Sequence, residues 1–215
     1  MRKLLTRSAI ALVLAASAGL GANAALASST KVASTTFSLH PSVASIPCMR
    51  QNATTTPTAT ATITRGKLND TLKLSLAGFK PGLDFDLFTV QKSNQNANGT
   101  PVAGFTNFGM AWYQSDVHVN STGTGSVTVQ TILLDQIFGF DPAVGLAPTN
   151  TFHLGFWFNN PATAVPCGFA GPPTPFNGEH SAGPVAFITR PNATTKLGPL
   201  CTDPHQVGTS FVCNP

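Results

Sequence analysis

Charge is the scarcest commodity in this sequence: Asp, Glu, Lys and Arg make up 9% of its 215 residues, against about 25% in an ordinary globular chain. Little field is available for steering a partner. The formal charge of +4 also leans on the first residues. Arg2, Lys3 and Arg7 are three of the 12 basic residues, and without them nine face eight acids. A nucleic-acid partner, which needs a basic surface, is therefore not expected. Catalytic fingerprints are scarce as well. Beyond the leader there is no Gly-x-Ser-x-Gly elbow, no His-Glu-x-x-His pair, no phosphate loop and no dinucleotide motif. Convincing amphipathic helices and internal repeats are missing too. After the first 27 residues no apolar run is long enough to cross a bilayer.

What is present begins with export. Arg2, Lys3 and Arg7 precede an apolar run from Ala9 to Ala18, and small residues at Ala22, Ala24, Ala25 and Ala27 offer cleavage frames. Residues 1–27 are predicted to be a signal peptide with its cleavage region. A secreted, extracellular protein without membrane insertion after signal removal is the expectation. Residues 28–215 are predicted to form a single β-sandwich domain with a loop-rich C-terminal tail. Polarity there comes from Thr, Ser and Asn, which favour strands and turns over helix interiors.

Four cysteines, Cys48, Cys167, Cys201 and Cys213, lie in the exported part, and none forms a Cys-x-x-Cys pair. That spacing argues for structural disulfides over a zinc or redox centre, with three connectivities open. Cys48 follows Ile46-Pro47 and Cys167 follows Val165-Pro166. Two similar proline-led approaches, taken as extended, suggest that Cys48 pairs with Cys167 and Cys201 with Cys213.

The strand signals are spread along the chain. Phe152, Leu154, Phe156 and Phe158 recur at every second position, which puts His153 and Trp157 on the opposite face. A long Pro/Gly loop, 159–184, separates this strand from a second at Val185 to Thr189. Leu72, Leu74 and Leu76 alternate, then Phe79-Lys80-Pro81-Gly82 turns the chain into Leu83, Phe85 and Leu87. Met110 to Leu134, broken near Gln114, reads as a second antiparallel hairpin, with Val127 and Val129 on its inner side. Ser93 to Thr106 and Pro191 to Pro215 read as loops. Seven or eight strands predict an all-β protein, a single antiparallel β-sandwich with a jelly roll as the alternative.

Leu76 to Phe88 (LAGFKPGLDFDLF) resembles the corner of fibronectin type III and other immunoglobulin-like sandwiches, where a leucine, a Pro-Gly turn and an aromatic connect two sheets. The resemblance covers about a dozen residues and implies sandwich architecture only. Phe85 stands where those families place a tyrosine, so a hydroxyl-based corner cannot form.

Several residues carry chemistry. Asp116 and His118 share a strand face; with His153, Glu179 and His180 they compose a candidate metal set suited to zinc or copper. No other cofactor is expected. Trp112, Tyr113 and Trp157 are candidate stacking residues for sugar rings, with core packing as their alternative role. Asn-x-Thr sequons stand at Asn52, Asn69, Asn98, Asn120 and Asn192. The sequence as a whole reads as a secreted or cell-surface non-enzymatic sandwich that binds an extracellular ligand or cell-envelope component. A metal-dependent extracellular enzyme is the alternative.

Overall fold

The structure, a computed structural model, describes residues 33–134, 137, 139–149, 152–171 and 182–213. The predicted leader lies outside these residues, as do Glu179 and His180. The main strands are β1 (Ser34–Pro41), β2 (Thr58–Thr64), β3 (Asp70–Ala77), β4 (Asp84–Val90), β5 (Ala111–His118) and β6 (Thr124–Thr131). Short strands β7 (Gly139–Asp141) and β8 (Leu146–Thr149) precede β9 (His153–Phe158) and β10 (Val185–Ile188); β11 (Pro204–Val207) and β12 (Ser210–Cys213) form a terminal hairpin.

Eight strands form one antiparallel sheet in the order β5-β4-β9-β10-β1-β2-β3-β6. β1 is the hinge between two layers. Its Ser34 to Leu39 pair with β2, whereas His40 and Pro41 pair with β10. The layers β1-β2-β3-β6 and β5-β4-β9-β10 thus fold over each other as a β-sandwich that approaches a closed barrel. β1, β2 and β3 run as a meander, unlike the paired Greek keys of a jelly roll.

The expected corner does connect the layers: β3 belongs to the first and β4 to the second. The expected β5–β6 hairpin does not form. β5 pairs with β4 and β6 with β3, so Val119 to Gly123 arches from one layer to the other. The break near Gln114 is a bulge, since Tyr113 and Ser115 face the successive residues Phe88 and Leu87.

Period-two faces fill the space between the layers. Leu72, Leu74, Leu76, Phe85, Leu87, Phe152, Leu154 and Phe156 are buried there, while Val127 and Val129 are half-buried. Phe79, Phe85, Phe156 and Phe187 form an aromatic nucleus, with Phe156 stacked on Phe187 at 5.1 Å and 13°. The outer face of the first layer is wet and almost neutral. Ser34, Thr36, Ser38, Thr58, Thr60 and Thr64 stand exposed on it, with Lys73 as its charge.

Both predicted disulfides form, Cys48–Cys167 and Cys201–Cys213. Their surroundings differ from the expectation. Cys48 lies in the short helix α1 (Ile46–Met49), with Pro47 in its first turn where the missing N–H costs nothing. Cys167 ends a 3₁₀ helix, Pro161–Cys167, capped by Asn160 through Ala162 N–H. Neither approach is extended. Buried Asp70 secures the end of β6 by accepting from Leu133 and Leu134 N–H, and Arg65 donates to Leu134 O and Thr202 Oγ1.

Four of the five Asn-x-Thr tripeptides close turns of one kind. Asn52, Asn98, Asn120 and Asn192 each accept through Oδ1 from the backbone N–H two residues on.

Phe156→Ala should lose about 3 to 5 kcal/mol, read as a fall in the denaturant midpoint. Loop length also ranks the staples. Replacing Cys48 and Cys167 by serine opens a closure of 119 residues and should cost about 5 kcal/mol, whereas opening the 12-residue Cys201–Cys213 loop should cost about 3. Equal midpoints for the two double variants would overturn this ranking.

Candidate functional site

β9 has no solvent-facing side: all six of its residues are buried. Phe156 and Phe158 face the main core, and Trp157 enters a second cluster with Phe88, Val90, Phe108, Ala182 and Ile188. Phe88 and Phe108 meet Trp157 edge-on at 5.5 and 5.0 Å. The cover over this outer face is the long β4–β5 connection, 91–110. Its ends are tied by Gln91 N–H to Met110 O, Lys92 N–H to Phe108 O and Met110 N–H to Gln91 Oε1.

Where that connection meets the segment after β10, a cleft of about 390 Å³ opens. Its wall includes Gln91, Ser93, Asn96, Asn107, His153 and Lys196. A neighbouring hollow of about 510 Å³ shares Asn96, Pro191 and Lys196 with it. Gln95 braces the rim: its Nε2 donates to Pro41 O, its Oε1 accepts from Arg190 Nε, and Ser93 Oγ accepts its N–H. Arg190 packs so tightly on Gly99 that a Cβ there would stand 2.5 Å from Nη2. The Arg190 charge also reaches His40, whose pKa is lowered by burial and then by this neighbour.

His153, 5% exposed, sits at the start of β9 with Nδ1 3.1 Å from Thr189 Oγ1, which also accepts the Leu154 N–H. Burial pushes its pKa down to about 4, against a weaker upward pull from a hydrogen bond to Thr189. The imidazole is therefore neutral at pH 7. It offers the cleft a hydrogen-bonding wall without charge.

The other candidates are scattered. Asp116 and His118 share the exposed face of β5, as their spacing required, but His118 Nδ1 is bound to Asp84 at 2.7 Å. Asp116 stands opposite Asp86, which stands opposite Trp157. That register places His153 two strands across and four residues along, about 16 Å away by ordinary strand spacings. Among the described residues no group of three His, Cys, Asp or Glu could hold a metal ion. Buried Asp86 accepts from Asn159 Nδ2 at 2.7 Å.

The three aromatics do not make a shared platform. Trp157 is fully buried, and Trp112 is half-buried against Phe152 at 4.9 Å. Tyr113 is 43% exposed, its phenol pushed up to about 12 by burial and then by Asp116. Conversely, the cleft residues Lys92, Ser93, Asn96 and Lys196 had no sequence signal beyond their place in Asn- and Gly-rich loops.

Titration of His153 gives a test of this geometry. The unfolded chain takes up its proton near the ordinary 6.5, the folded chain only near 4. Between these values the unfolded state binds more protons, so stability should fall as pH drops through the window, by about 3 kcal/mol. His153→Asn should flatten this part of the pH profile, as read by urea midpoints; an unchanged slope would assign it elsewhere. No family model, no curated protein and no solved structure matches the chain, and what the cleft can do follows from its geometry.

Proposed function

We propose that the protein is an exported, non-enzymatic β-sandwich of immunoglobulin-like architecture that binds a small polar ligand outside the cell, in the cleft beside His153. The observation that carries this reading is the cleft itself. Its polar lining is made of amides, two hydroxyls, two lysines and a neutral imidazole, on elements braced by the Gln95 contacts. Pockets of this size with few, well-placed polar groups suit small molecules.

Supporting features come from the rest of the molecule. The strands β2, β3 and β6 face β5, β4, β9 and β10, with β1 inserted between β10 and β2; this arrangement supports reading them as an A-B-E layer against a C′-C-F-G layer in immunoglobulin-like nomenclature. All four cysteines are paired, as an oxidising compartment favours. Among the described residues no helix is long and apolar enough to cross a membrane.

Thr106, exposed on the cleft wall, gives a plug that spares the fold. Saturation-transfer NMR against monosaccharides and sugar acids should find binders that Thr106→Trp abolishes while leaving the unfolding midpoint unchanged. Binding that persists in the plugged variant would place the ligand elsewhere.

A further inference from the structure

The cleft is electrically one-sided. In a chain so poor in charge, the charged side chains lining the two hollows are Lys92 and Lys196, and no described carboxylate lines either hollow. Arg190 stands behind the rim, held by Gln95. His153 adds no charge at neutral pH.

Lys196 has a second peculiarity. It alone among the described non-glycine residues has a positive φ, 64°, in a loop closed by Lys196 N–H to Asn192 O and Asn192 N–H to Leu197 O. Glycine or asparagine takes such a left-handed position with least strain, and a lysine gains nothing in backbone energy by standing there. Strained positions of this kind cluster at ligand sites. Lys196 lines both hollows. Its Nζ donates to Ala193 O at 2.6 Å, which leaves two of three ammonium protons for a ligand.

Building on the cleft reading, we propose that the ligand is a hydroxylated small molecule bearing an anionic oxygen group, of the sugar-acid kind, with Lys196 and Lys92 holding that group and Ser93, Asn96 and Asn107 meeting its hydroxyls. An ammonium pairs with a carboxylate, sulfate or phosphate by charge-assisted hydrogen bonds. Neutral side-chain amides and hydroxyls donate and accept in the way a polyol requires.

Backbone amide shifts of the whole folded chain, followed by NMR at constant ionic strength, test this with sodium glucuronate, glucose and inorganic sulfate, against chloride. Glucuronate should bind saturably, moving the signals of Asn96, Lys196 and Gly198, with glucose much weaker. Lys196→Gly relieves the left-handed strain, so its thermal midpoint should equal or exceed that of the parent while glucuronate affinity falls about tenfold; Lys196→Arg should retain most of the affinity. A stable Lys196→Gly variant with unchanged affinity overturns the role of Lys196. Glucose binding as tightly as glucuronate overturns the anion assignment and leaves the cleft reading intact. Saturation by sulfate with glucuronate inert overturns the sugar-acid assignment and points to a free inorganic oxyanion. Silence from all three probes, with no polar binder in the saturation-transfer screen, overturns both readings.

Discussion

A strand without a wet side is the constraint from which the rest of the molecule follows. β9 puts Phe156 and Phe158 into the main core and Trp157 into a second one. An antiparallel sheet ordinarily leaves one face to water, and the second layer cannot do so at its centre. Leaving Trp157 bare would expose a large apolar surface and forfeit several kcal/mol of burial, by about 25 cal/mol per Å². The 91–110 connection must therefore lie on that face. Because it starts and ends on the neighbouring strands β4 and β5, it bridges the sheet as a flap and leaves a seam where it meets the segment after β10. The cleft is that seam.

The flap is held with almost no ionic bonding. Gln91, Ser93, Gln95 and Asn96 fasten it through side-chain amides and hydroxyls, and the Asn-x-Thr turns repeat the same chemistry at other loops. Each such bond contributes little net free energy, about 1 kcal/mol, but an unmet amide in a loop packed on a sheet costs more than that. These bonds specify loop geometry more than they add stability. Of the few cations present, Lys92 and Lys196 line the cleft.

What was legible in the sequence is what repeats. Phe152 to Phe158, Leu72 to Leu76 and Leu83 to Leu87 carry a period of two that survives as the set of side chains turned to the main core, although in β9 the alternate residues His153 and Trp157 are buried as well. The bulge near Gln114 showed itself as a break in that period. Other features rest on contacts distant in sequence and leave no periodic trace. The partner of β6 is β3, because the chain arches across the core where Val119 to Gly123 reads as a plain hairpin turn. The Cys48–Cys167 pairing was foreseen on a wrong premise: proline reads as a helix breaker, yet Pro47 sits in the first turn of α1, where the helix does not need its N–H. The cleft was least visible. Its residues come from two loops, and neither Asn96 nor Lys196 stands in a pattern that singles it out.

The outer face of the first layer carries a further consequence. Its Ser and Thr hydroxyls, with Lys73 as the charge among them, bind water without an ion atmosphere. Two copies approaching through these faces must strip hydration but meet little Coulomb repulsion, so dissolved salt has little there to screen. Contacts made through this face therefore draw on hydration far more than on Coulomb forces.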